Sequence, residues 1–348
     1  MAVKRYIADA DTTITNAYKE NLSTRGTSAN MGASDSLEVF SIWGQISSSA
    51  GGTSVEASRA LVKFPVSSIS ADRDAGYIPA SGSVSFYVKF SNAEHPNTLP
   101  SNYVLSVLPV SESWAEGYGL DMETYSDTGE ANWLSASTAT PWAADGGTYH
   151  TSSAALLAAD SATNTKNIQT MYTNAVVDDG TVDVEIDISE LVEQWIGSTK
   201  ANYGVGIMMS GAYEDGTLNA SYYTKKFFGR GSEYFYKRPY IEARWDSSKK
   251  DNRANFYASS PLATTADETN TLYFYNWVRG QLKNIPGLDA SNTFVVKLYP
   301  TVSDTETAVV SGIAYPTADA GIYTASIAAT TTATNLYDVW STGSAPLI

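Results

Sequence analysis

The side chains of this sequence that could do chemistry are carboxylates and aromatic rings, with little else beside them. There are no cysteines and only two histidines, His95 and His150, so thiol catalysis and cysteine-based zinc sites are excluded. No His-Glu-x-x-His, Gly-x-Ser-x-Gly or phosphate-loop pattern occurs. What remains is a run of acids: Glu112, Glu116, Asp121, Glu123 and Asp127. Two carboxylates at a suitable separation suffice for glycoside hydrolysis, but solvated charge is the ordinary state of acids in a polar loop. The expectation is a protein that is not an enzyme. The same run offers oxygen ligands, which makes Asp121, Glu123 and Asp127 a candidate calcium site, although their spacing is not that of an EF-hand. No other cofactor is expected.

Aromatic residues flank these acids: Trp114, Tyr118, Tyr125, Trp133 and Trp142. Exposed, they would be platforms for sugar rings, and they are the candidate glycan-binding residues; buried, they would be packing, the commoner state of tryptophan. A second cluster interleaves Lys225, Lys226, Arg230, Lys237 and Arg238 with Phe227, Phe228, Tyr234, Phe235 and Tyr236. Such a strip can bind single-stranded nucleic acid. A net charge of −15, with only 22 Lys plus Arg, opposes that reading and an anionic membrane surface alike. Lys225, Lys226 and Arg230 are instead expected to meet an acidic face on a neighbouring subunit. The chain ends on the apolar pair Leu347-Ile348, which either packs on its own domain or reaches a neighbour.

The elements that must position these residues are mostly strands. Val84, Phe86, Val88 and Phe90 alternate with polar residues, as do Val182, Val184, Ile186 and Ile188, and Val62, Phe64 and Val66. Each run reads as a strand with one buried face in an antiparallel sandwich. One helix is predicted: Asp187 or Ser189 caps it, Glu190 opens it, Leu191, Val192, Trp195 and Ile196 form its apolar stripe, and Gly197 stops it. Long Gly/Ser/Thr/Asn-rich loops are expected at 47–58, 117–151 and 152–167. A polar run at 247–252 reads as a linker between domains 1–246 and 253–348. In the second domain Leu272 and Phe274 alternate with Tyr273 and Tyr275. Further strands at 294–299, 308–313, 321–328 and 336–340 suit a small immunoglobulin-like β-sandwich. No run of apolar residues is long enough to insert into a membrane as a helix, and no signal peptide is visible.

Four pieces in the first 246 residues carry a resemblance. They are Ala8-Asp9-Ala10-Asp11-Thr12-Thr13, then Arg59-Ala60-Leu61-Val62-Lys63-Phe64-Pro65, then Trp114-Ala115-Glu116-Gly117. The fourth is the strand, Asp, short helix with Trp, and Tyr-Gly-strand pattern of 184–207, closed by Arg238-Pro239-Tyr240-Ile241. In this order they resemble the DNRLRE domain family, jelly-roll sandwiches related to carbohydrate-binding modules. Pro65 stands where the family usually has Asp, and the insertion at 118–151 is long. That insertion, and the segments Asn276 to Leu282 and Tyr337 to Trp340, look like variants in tailed-bacteriophage structural proteins. The resemblance implies an all-β chain: an N-terminal jelly-roll-like β-sandwich followed by the small immunoglobulin-like unit. It also implies a virion protein assembled in the host cytoplasm, such as a neck, collar, tail or capsid-decoration subunit, whose partners are other copies of itself and other virion proteins. The alternative it implies is an adhesive module that binds surface polysaccharide. Absent cysteines fit assembly in a reducing cytosol.

Overall fold

Alternation predicts half-buried strands, and a computed structural model places them in antiparallel sheets. It describes residues 2–47, 53–97, 105–124, 130–150, 181–209, 214, 222–258, 262, 264, 268–288, 294–302, 307–317, 319–342 and 345–347. The chain divides into two units, Met1–Asp246 and Ser247–Ile348, each with a core of its own. Among the described residues no helix is long and apolar enough to cross a membrane.

In the first unit the strands are β1 (Ala2–Ile7), β2 (Ala10–Thr15), β3 (Ser36–Ser47), β4 (Thr53–Lys63), β5 (Val84–Phe90) and β6 (Leu105–Pro109). A short pair follows, β7 (Ser135–Ser137) and β8 (Thr140–Pro141), then β9 (Val184–Asp187), β10 (Val205–Met209), β11 (Tyr222–Phe228) and β12 (Tyr240–Trp245). One sheet runs β1-β12-β5-β9; the other runs β11-β3-β4-β10-β6, with β2 also on β4. This is the jelly-roll-like sandwich expected. Phe86, Val88 and Phe90 from the first sheet and Ala60, Val62 and Ile207 from the second are fully buried in one cluster. Burying each Phe stabilises the fold by about 1.5–3 kcal/mol.

Helix α1 (Val66–Asp74) follows β4 directly. Sequence reasoning missed it because only Val66 and Ile69 are buried, too few to make a stripe. Helix α2 (Ser189–Ile196) is the predicted one. Asp187 Oδ1 accepts the Ser189 N–H at 2.9 Å, and Leu191, Val192 and Trp195 are buried under it. The two helices are joined by Arg73, whose guanidinium donates twice to Glu193 at 2.7 Å. The loop expected at 47–58 is mostly strand. Its Ser and Thr residues pair with β3 from Thr53 onward, so local composition is overridden by ladder pairing. The loop expected at 152–167 lies outside the described residues.

The second unit holds β13 (Asn270–Tyr275), β14 (Trp277–Val278), β15 (Gln281–Leu282), β16 (Phe294–Tyr299), β17 (Val310–Pro316), β18 (Ile322–Ile327), β19 (Tyr337–Thr342) and β20 (Ala345–Leu347). Six of these make one sheet in the order β13-β18-β17-β16-β19-β20, and among the described residues β14 pairs with β15 alone. The strands predicted from spacing are present, and among the described residues six of them share one antiparallel sheet. Its core lies around Phe294, Val296, Tyr323 and Trp340. Residues 247–252, expected as a linker, fall within this unit. Asp251 accepts the Tyr273 N–H and Asn252 the Thr271 N–H, which covers the edge of β13.

Gly204 shows how closely the first unit is built. Its φ is +80°, and a Cβ there would lie 2.1 Å from the Val62 carbonyl oxygen. Gly204→Ala is expected to lower unfolding free energy by at least about 2 kcal/mol in urea titration. An unchanged midpoint would contradict this packing.

Candidate functional site

Strand β4 has two buried faces. Ala60 and Val62 point into the sandwich, whereas Ala57 and Leu61 belong to a second cluster with Ile14, Val110, Ala131, Trp133, Ala136 and Trp142. The insertion therefore folds down as an extra layer on the sheet. Arg59 lies on that same face. Its Nε and Nη2 each donate to Glu214 at 2.8 Å, and Nη1 donates to the Gly146 carbonyl at 2.7 Å. The guanidinium carbon sits 5.1 Å from the Trp133 ring centroid and 5.5 Å from that of Tyr149.

This layer corrects the glycan-platform expectation. Trp133 and Trp142 are buried, and the Trp142 indole N–H donates to the Asn132 carbonyl at 2.8 Å. Trp114 is half-buried against the same cluster and donates to the Tyr203 carbonyl at 2.8 Å. These three rings are packing, because a loop this long needs apolar anchors to order it. Tyr118 is exposed. Tyr125 lies outside the described residues.

The acids are also used internally. Glu116 accepts both Nε and Nη2 of Arg230 and the backbone N–H of Asp11. Asp11, itself 1 % exposed, accepts the Arg230 N–H. Asn30 ties this knot to the insertion by donating to the Glu116 and Ala131 carbonyls. Burial pushes the Asp11 carboxyl up to about 7. The Arg230 N–H opposes that rise, Glu116 adds to it, and the Arg230 and Arg238 guanidinium groups oppose it. Two carboxyl groups this close with unlike surroundings are what acid–base chemistry needs, but here Asp11 is buried. Of the candidate calcium ligands, Asp121 Oδ1 accepts the N–H groups of Glu123 and Thr124, and Glu123 Oε1 accepts the Glu20 N–H. Asp127 lies outside the described residues.

The basic strip is corrected in part. Lys225 is fully buried, with Nζ donating to Asn92 Oδ1 and the Val182 carbonyl at 2.7 Å each. Arg230 is held by Glu116. Lys225 cannot face a neighbouring subunit, whereas Arg230 is ion-paired but still partly exposed. Lys226 pairs with Glu38 across the β3–β11 ladder at 2.8 Å. On the other sheet a chain of ion pairs runs Arg5–Glu242–Arg244–Glu185–Lys89. Arg244 and Lys89 pull Glu185 down to about 2. Of the terminal pair, the backbone of Leu347 pairs with Trp340 at the edge of the second unit's sheet, and Ile348 lies outside the described residues.

The exposed aromatic residues lie elsewhere. In the first unit a turn presents Tyr234, Phe235 and Tyr236, with Lys237 over Phe228 at 5.0 Å and Arg238 over Phe235 at 5.5 Å. In the second unit, the strand registers bring Tyr273, Tyr275, Ile313, Tyr315 and Tyr337 onto one sheet face, the face opposite the core. Tyr275, Ile313, Tyr315 and Tyr337 are exposed. Sequence reasoning missed this face. Its signal was the tyrosines of 271–275 alternating with the core residues Leu272 and Phe274, an apolar pattern on both sides of one strand.

No protein-family model matches the chain, and no curated protein matches it either; the resemblance to the DNRLRE family rests on the four quoted segments alone. The buried Asp11 gives a direct test of the electrostatics. Its folded pKa is raised from 3.8 to about 7, so its stabilising contribution is complete below the unfolded value and is lost as pH rises through neutrality. Asp11→Asn keeps the acceptor for the Arg230 N–H. It is expected to melt several degrees above the parent at about pH 8 and to lose that advantage in acid. A parallel pair of melting curves across this range would contradict the assignment.

Proposed function

We propose that this chain is an assembly subunit, a structural protein of a tailed-phage particle that works through contacts with copies of itself and with other particle proteins. The observation that carries the reading is the aromatic outer face of the second unit. Soluble proteins seldom leave four large aromatic or aliphatic residues exposed on one sheet face unless something covers them. Among the described residues the smaller unit exposes nearly as many large apolar residues as the larger one. The insertion and the cations of the first unit are engaged in holding that unit together, which suits a rigid body that presents surfaces. The neck, collar, tail and decoration assignments share this physics, and copy number in purified particles distinguishes them.

An adhesive reading has one specific observation in its favour, the exposed Tyr234-Phe235-Tyr236 turn with its two cations. Aromatic platforms of this kind stack on sugar rings. Affinity electrophoresis in surface polysaccharide tests it: retardation that is lost in Tyr236→Ala supports adhesion, and unretarded migration removes it.

For the assembly reading, the test is sedimentation velocity of the parent and of the double variant Ile313→Lys/Tyr315→Lys. The parent is expected to form closed or extended oligomers and the variant to shift toward monomer. Its melting temperature should be unchanged, because both side chains are exposed. A monomeric parent at every concentration would contradict the proposal.

A further inference from the structure

Lys225 sits in the middle of β11 with no exposed surface, a rare state for a lysine. Its Nζ donates to Asn92 Oδ1 and to the Val182 carbonyl, at 2.7 Å each. The surroundings are apolar: Nζ is 5.3 Å from the Phe227 ring centroid, and Phe227 packs on Phe90, both rings being fully buried. Such surroundings favour a neutral amine over an ammonium, and a desolvated amine is a nucleophile. The group it meets is an electrophile. The carboxamide carbon of Asn92 lies one C=O bond beyond Oδ1, so it is no more than about 4 Å from the nitrogen. That is close to the separation of a near-attack pair.

We propose that Lys225 and Asn92 join in an intramolecular isopeptide bond. The Nζ lone pair attacks Cγ of Asn92, and a C–N bond forms. The Cγ–Nδ2 bond breaks, one amine proton passes to the departing nitrogen, and ammonia leaves; no oxidant or other reactant enters. Asp183 Oδ1 accepts the Asn92 backbone N–H at 2.8 Å, which puts a carboxylate beside the reacting amide for that proton transfer. Asn92 and Asp183 also line an open depression with Phe228, Tyr234 and Lys237, a route to solvent for the ammonia. The product keeps one N–H on the former amine. The Val182 carbonyl is in place to accept it, so the buried amide donor is satisfied.

The bond ties the two sheets of the sandwich to each other. Strand β11 belongs to one sheet, and Asn92 follows β5 of the other. Backbone contacts already hold the two segments side by side: Ala93 donates to the Lys226 carbonyl at 2.9 Å, and Phe228 to that of Ser91 at 3.1 Å. The linked residues are 133 apart in sequence, and closing so long a loop covalently restricts the unfolded chain. This site is independent of the assembly reading, since it needs neither a second copy nor a ligand.

Mass spectrometry of the denatured parent tests the bond. The parent is expected about 17 Da below its sequence mass, the loss of one ammonia. Its tryptic digest should contain a branched peptide that joins Asn92 to Lys225. Lys225→Met and Asn92→Ala should each have the full mass of their sequence and no branched peptide. A parent at full mass would overturn the proposal, as would a loss of ammonia without the branched peptide, or the same loss in either variant. The measurement is made on unfolded chains, so the parent decides the matter even where a variant folds poorly.

Discussion

Strand β4 carries a cation in the middle of a buried face, and the larger unit is arranged around that fact. A guanidinium taken out of water costs several kcal/mol unless its donors are matched. Arg59 has them matched by the Glu214 carboxylate and the Gly146 carbonyl, with aromatic rings close by. Gly146 and Trp133 belong to the insertion, so meeting the needs of Arg59 fixes the insertion against the sheet. The φ of Gly146 is +84°, and a Cβ there would come 2.8 Å from the Trp133 ring. The ring, the glycine and the arginine define one another. With that layer in place Leu61 is buried from outside as Val62 is from inside, and both faces of the sheet contribute to stability.

This arrangement accounts for what could be read from the sequence. The strands of the four-stranded sheet were legible because one face is dry and the other charged, as in Val184-Glu185-Ile186-Asp187. Helix α2 was legible from its stripe and cap. The double-sided burial of β4 was not, since Arg59 within Arg-Ala-Leu-Val reads as the polar side of an ordinary strand. For the same reason packing was the commoner reading of Trp133 and Trp142 beside that of exposed platforms; their burial between the insertion and the sheet decides. Lys225 misled in the other direction. A lysine in a basic strip looks exposed, yet its stem runs through the protein to reach Asn92 and Val182. In the second unit spacing located the strands but not their pairing, because it does not say whether six strands form one sheet or two.

Electrostatics ties the fold to its use. With fewer cations than acids, the first unit places Arg59, Arg73, Arg230 and Arg244 in internal ion pairs. What it shows to solvent carries the surplus negative charge. The second unit differs, with an aromatic sheet face and an exposed tryptophan hairpin. A rigid, internally satisfied body joined to a unit rich in uncovered apolar surface is the division of labour that the assembly proposal assigns.

The central structural claim is that the insertion is a layer of the fold, held by Arg59. Hydrogen exchange read by mass spectrometry on the parent and on Arg59→Lys tests it most directly, since lysine cannot reproduce the two-pronged contact with Glu214. The account predicts faster exchange at 131–149 in the variant, with β5 and β12 as protected as in the parent. Equal protection of 131–149 in both proteins would contradict it.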